Sequence, residues 1–170
     1  MPPINIKTLS VADLLTLHVQ IKDELRARDV IRSENNLTGD LAETLFCKAF
    51  GWTQAPNSAK GYDATGDDGT RYQIKARRIH VRNPSRQLSA IRNLNDKPFD
   101  VLAGVLFDES FRVTKGAIIP FEIIKDESTY RKHTNSHLFH LRDTVWNLPG
   151  VRDVTDELKR AEAQISTVTP

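Results

Sequence analysis

The sequence predicts an α/β (α+β) protein, a mixed β-sheet flanked by helices. Three observations carry that expectation. Segments with helical and strand periodicity follow one another as helix, strand, strand, strand, helix, strand, and then further additions, an alternation that suits a sheet covered by helices. Residues 99–107, FDVLAGVLF, are almost wholly apolar, as in a strand buried on both faces. Two strand-like runs at 62–65 and 71–81 are joined by Gly66, Asp67, Asp68 and Gly69, a sequence suited to a hairpin turn.

Taken in order, Ser10 with Asp13 three residues on predicts an N-cap opening a helix over about 11–30. Val11, Leu14, Leu15, Ile21 and Leu25 fall mostly on one face of it. The polar run SENNLT at 33–38 is a break. A second helix is expected over 39–50, with Leu41, Ala42, Leu45, Phe46 and Ala49 as its buried stripe and Gly51 as its stop. A short strand at 52–55 and the loop PNSAKG lead to the hairpin. Asn83 and Pro84 interrupt, and Ser85 is placed to cap a helix through about Asn93. After the buried run at 99–107, VTKGAIIPF is a strand candidate ending at Pro120. A polar region, a strand at 137–141 and a helix at 155–165 complete the chain.

The chain has 170 residues, enough for one domain burying about two-thirds of its unfolded surface. With 39% hydrophobic and 27% charged residues it is expected to fold rather than stay disordered. No apolar stretch approaches the roughly 20 residues that cross a bilayer, and MPPINIKTLS lacks the pattern of an export signal. The single cysteine, Cys47, excludes an internal disulfide and suits a reducing, cytoplasmic setting; its apolar neighbourhood favours a buried thiol over a nucleophile.

The net charge is only +2, but its distribution is uneven. No acid occurs from Gly69 to Asn95, whereas Arg71, Lys75, Arg77, Arg78, Arg82, Arg86 and Arg92 all do. Six of these seven cations are arginine, whose forked donors suit phosphate and guanine edges. Such a patch is the electrostatic footprint of a nucleic-acid partner, or else a solvated face paired with acids elsewhere.

Strand alternation puts Tyr72, Ile74 and Ala76 on one face and Gln73, Lys75 and Arg77 on the other. Asp63, on the preceding strand, faces the same space as Gln73 and Lys75. Glu43 lies at the edge of the apolar stripe of its helix and can lean over the sheet; the competing reading makes Asp40 the N-cap and Glu43 the third position of a capping box. The group of Asp63, Gln73 and Lys75 has its own competing reading, the polar outer face of a hairpin.

GDLAETLF, GYDA and YQIKAR, followed by a basic segment and FDVLAGVLF, resemble the PD-(D/E)XK nuclease superfamily, the restriction-endonuclease-like fold, over roughly residues 39–107. The resemblance implies an αβββαβ core with the helix at 11–30 and residues 108–170 as additions. Two positions depart from the pattern. Tyr62 replaces the usual proline before Asp63, and Gln73 replaces the usual acid two residues before Lys75. An amide oxygen ligates Mg²⁺ but brings no charge, and some nucleases of this superfamily use Gln there.

The implied activity is metal-dependent endonucleolytic hydrolysis of DNA, most simply by a restriction-type enzyme. A homing or repair nuclease, a junction resolvase, or a non-catalytic DNA-binding protein sharing the fold are the alternatives. Asp63 is the implied central ligand of Mg²⁺ (or Mn²⁺), with Gln73, the Ile74 main-chain carbonyl and Glu43 supporting it. Lys75 is the implied partner of the attacking water. Arg77, Arg78, Arg82, Arg86, Gln87 and Arg92 are candidate contacts to double-stranded DNA, and a homodimer would match two sites to two strands. His133, His137 and His140 are spaced for a metal site if a helix carries them, but Asn135 and Ser136 interrupt that helix, and in a strand His137 and His140 face opposite sides.

Overall fold

The computed structural model describes residues 4–34, 36–56 and 58–166. Residues 1–3 and 167–170, included in the expected domain of 1–170, lie outside the described residues, as do residues 35 and 57 of the two expected loops.

Local chemistry sets the helix ends. Helix α1 (Val11–Ala27) starts at Ser10, whose hydroxyl accepts from the Asp13 N–H while the Asp13 carboxylate accepts from the Ser10 N–H. Helix α2 (Leu37–Phe50) starts at Asn36, whose side chain accepts from the Gly39 N–H. It stops at Gly51 in the left-handed conformation, at φ 68°. The N-cap is therefore not Asp40. That residue is buried and accepts from the N–H groups of Arg32 and Ser33 at 2.9 and 2.6 Å, which pins the α1–α2 loop to α2. The capping-box reading of Glu43 fails with it.

After α2 come β1 (Thr53–Gln54), β2 (Ala64–Thr65), β3 (Arg71–Arg78), β4 (Val101–Phe107) and β5 (Val113–Pro120). Helix α3 (Phe121–Glu127), the strands β6 (Thr129–Arg131) and β7 (Ser136–Leu138), β8 (Arg152–Asp153) and helix α4 (Thr155–Ser166) follow. Six strands form one sheet in the order β1-β2-β3-β4-β5-β8, while β6 and β7 pair separately as a hairpin. Only β3 and β4 are parallel, with Lys75 opposite Gly104, so the sheet is mixed as expected. Strand β4 is buried along nearly its whole length, as its apolar run requires.

The two faces of the sheet carry two cores. Ala42, Leu45 and Phe46 of α2 and Leu158 and Ala161 of α4 pack with Ile74, Ala103, Val105 and Phe107. A stack of Phe50, Trp52 and Tyr72 extends this core towards the β1 edge, the Trp52 and Tyr72 rings lying 3.6 Å apart. On the opposite face Leu88, Ile91, Leu94, Phe139 and Leu141 pack with Leu102, Leu106 and Ile119.

The helix expected from Ser85 to Asn93 does not form, so the core is αβββ, an irregular crossover, then β. Leu88, Ile91 and Leu94 have helical spacing, yet residues 85–93 form no helix because their backbone pairs elsewhere, and only a single 3-10 turn follows at Leu94–Asp96. Leu88 N–H donates to Phe139 O and Ile91 N–H to His137 O, each at 2.9 Å, and Arg86 O accepts from the Leu141 N–H at 3.0 Å. All three side chains are buried, and the backbone hydrogen bonds to residues 137–141 fix the non-helical path of the chain. Several expected strands shorten, 71–81 becoming β3 at Arg71–Arg78 and 137–141 becoming β7 with a bridge at His140. Helix α1 buries no residue at all. No helix of the described residues is long and apolar enough to cross a membrane.

Candidate active site

The backbone around Asp63 is held on both sides. Ala55 N–H donates to Asp63 O at 2.8 Å, and Asp63 N–H donates to Tyr72 O at 2.7 Å. Upstream, Gly61 adopts φ +91°, and a Cβ there would lie 2.5 Å from the Pro98 Cβ, so glycine is required twice over. The antiparallel pairing of β2 with β3 ends at Tyr72, leaving the next residues of β3 at an open edge.

The Asp63 side chain fills that edge. Its Oδ2 accepts from the Ile74 N–H at 2.7 Å and from the Gln73 amide in a close contact. Oδ1 takes part in none of the described hydrogen bonds. In a strand, a residue's N–H and C=O point the same way. The Ile74 carbonyl therefore faces the same open edge as the N–H bound to Asp63.

Glu43 reaches the site from α2, with its side chain only 13% exposed. Its Oε2 accepts from Arg32 at 2.6 Å and from the Gln54 amide at 2.8 Å. Burial raises its pKa above the ordinary value; the Gln54 hydrogen bond opposes this, the Asp63 carboxylate adds to it, and Arg32 opposes it again. Two carboxylates repelling each other beside an open edge are a place where a cation is favoured.

Lys75 is partly buried and makes no ion pair among the described residues. Burial lowers its pKa, while Asp63 and Glu43 pull it back up and Arg92 lowers it further. Asp63, Glu43 and Lys75 thus act on one another electrostatically, and Gln73 is hydrogen-bonded to Asp63. Asp63 and Glu43 also line a cleft of about 240 Å³ with Arg32, Asn36 and Tyr62.

Arg32 was not legible as part of this site. It follows α1 in a polar loop and has no motif around it. The structure shows its guanidinium bonded to Glu43 and to the Ala55 carbonyl at 2.9 Å, so it ties the α1–α2 loop to the strand leading into Asp63.

Of the expected DNA contacts, several are engaged within the protein. Arg77 donates to Ser85 O at 3.1 Å, Arg78 lies over the Phe111 ring at 4.5 Å, and Arg86 pairs with Asp143 at 2.8 Å. Gln87 is half-buried and bridges His140 through its backbone. Arg82 and Arg92 are exposed and unpaired among the described residues. Arg71, part of the basic run, is held by Asp100 at 3.0 Å. Cys47 is half-buried, and burial pushes its thiol up to about 11.

Among the described residues no group of three or more His, Cys, Asp or Glu is placed to hold a metal ion. His133, His137 and His140 do not converge, because they lie along a turn and a strand rather than one helix face. The candidate site contributes two carboxylates, an amide oxygen and a main-chain carbonyl. All are oxygen donors, a set that fits a hard cation such as Mg²⁺ with water completing its shell. The sequence matches no protein-family model and no curated protein.

Proposed function

We propose that this chain is a metal-dependent DNA endonuclease, of restriction type in the simplest case. One observation supports this above the others: Asp63 is fixed at the open edge of β3 beside Gln73 and the Ile74 backbone, with Lys75 on the same strand and Glu43 opposite. A solvated hairpin face does not account for an aspartate that accepts from both the Gln73 amide and the Ile74 N–H where the β2–β3 pairing ends, beside a partly buried lysine.

In this reading Asp63, the Gln73 side chain, the Ile74 carbonyl and Glu43 would hold Mg²⁺ or Mn²⁺. When bound, such an ion polarises the scissile phosphate and acidifies water. Lys75 orients the attacking water and, in its neutral amine form, accepts its proton, a role suited to a lysine whose pKa is lowered by burial. Arg92 and Arg77 hold neighbouring phosphates. Arg32 keeps Glu43 in place. The enzyme works as a homodimer on duplex DNA, and its lone unreactive thiol suits a cytoplasmic setting.

The test is cleavage of long, varied DNA with Mg²⁺, Mn²⁺ or EDTA. Wild type should give metal-dependent fragments, and Asp63→Ala and Lys75→Ala should each slow cutting on the order of 10²–10⁴-fold. A second reading, DNA binding without hydrolysis, is favoured by the way Asp63 and Glu43 are already satisfied by Gln73 and Arg32. Gln73→Glu separates the two, since a restored acid should strengthen metal-dependent cutting in a weak enzyme. Wild type and Gln73→Glu both inert with either metal would leave only the binding reading.

A further inference from the structure

A second acid-free stretch lies far from the first in sequence. From Ser128 to Arg142 there is no Asp or Glu, whereas Arg131, Lys132 and Arg142 are present with three histidines. The fold brings this stretch against the basic crossover. His137 pairs with Ile91 in both directions, at 2.8 and 2.9 Å, and Leu88 N–H bonds Phe139 O. Residue 91 immediately precedes Arg92, and Leu141, three residues beyond β7, packs against Gly104, which lies opposite Lys75 in the β3–β4 register. The hairpin base is therefore continuous with the candidate active site.

Its two ends differ. Ser136, Phe139 and Leu141 are buried and anchor the base. The tip, Arg131 to Asn135, is exposed, yet it is shaped: Asn135 is left-handed at φ 44°, its side chain accepts from the Tyr130 hydroxyl at 3.0 Å, and the Thr134 and Ser136 hydroxyls are 2.7 Å apart. Arg131, Lys132 and Arg142 have no acidic partner among the described residues, unlike Arg71 and Arg86. A cleft of about 550 Å³ separates the tip from Gln87 and Ala90.

We propose that the β6–β7 hairpin is a nucleic-acid-contacting ribbon, with Arg131 and Lys132 binding backbone phosphates of the duplex whose scissile bond lies at Asp63. This rests on the nuclease reading for its substrate. A two-stranded ribbon has the width to enter a major groove. Cations with no internal partner are the ones that release counterions on binding phosphate. An acidic protein partner would meet the same charges, but the continuity of the hairpin with Arg92 and Lys75 favours the polymer that the site would cut.

The test is binding of a fluorescent DNA duplex in EDTA at about 50 and 200 mM salt, for wild type, Arg131→Ala/Lys132→Ala and Arg92→Ala. The hairpin double variant should lose roughly tenfold or more in affinity at the lower salt, and its salt slope should fall by about 1–2. Both positions are exposed, so an unchanged melting temperature confirms that the fold is intact. Wild-type binding with an unchanged slope in the double variant overturns the hairpin proposal and leaves the nuclease reading standing. No duplex binding by wild type overturns both.

Discussion

Lys75 has a partly buried ammonium without an ion-pair partner among the described residues, and this has a thermodynamic sign. Its pKa in the fold lies below the ordinary lysine value, chiefly through burial. Below that lowered pKa both folded and unfolded chains carry the proton, and the fold bears the full cost of a desolvated charge. Between the lowered pKa and about 10.4 the unfolded chain holds more protons, so stability rises with pH; above that range the cost is gone. In EDTA, Lys75→Met should therefore unfold at higher urea concentration than wild type at pH 7, with the gain shrinking as pH approaches 10. A lower midpoint for Lys75→Met at pH 7 would mean that Asp63 and Glu43 hold the ammonium in net favourable balance. Stability lost at a residue and regained on its removal is the mark of a side chain kept for another purpose.

At the scale of elements, α2, β3, β4, β5 and α4 were legible because each carries its own period and its own stop signals. Asp63, Gln73 and Lys75 were legible for the same reason: two strands and a turn fix their geometry locally. The crossover at 85–96 was not, because its conformation is set by pairing with residues 137–141, some fifty positions later, and no local pattern encodes that. Its apolar residues at spacings of three read equally as one helix face. Helix α3 was hidden in a polar region, being only seven residues long. Arg32 was hidden because it acts through a loop brought to α2 by the buried Asp40. The pinned crossover carries a prediction. Ile91 is 1% exposed beneath the ladder, so Ile91→Ala should cost about 2–5 kcal/mol in urea unfolding. A cost below about 1 kcal/mol, that of an ordinary surface change, would show that the crossover is not part of the cooperative core.

For the whole molecule, the unresolved balance is at α1. A capped helix of 17 residues leaves Val11 75%, Leu15 64% and Val19 55% exposed, with Leu14 and Ile21 also open to solvent. Burial stabilises a chain at about 25 cal/mol per Å² of apolar surface, and a helix with no fully buried residue gains little of that from its own chain. Contiguous apolar exposure of this kind marks an association surface. The proposed nuclease has one candidate site and a duplex has two strands, which two copies related by a two-fold axis would serve. Pairing through α1 would also act next to the site, because Arg32, which grips Glu43, lies only five residues beyond the end of the helix. Sedimentation of the wild type should give a dimer at micromolar concentration. Leu15→Glu with Val19→Glu should give a monomer whose unfolding midpoint, extrapolated to low protein concentration, is close to wild type, since neither side chain is buried within the chain. A wild type that sediments as a monomer would rule out this interface, and a nuclease of this form would then cut the two strands one after the other, leaving nicked circles as an intermediate on supercoiled DNA.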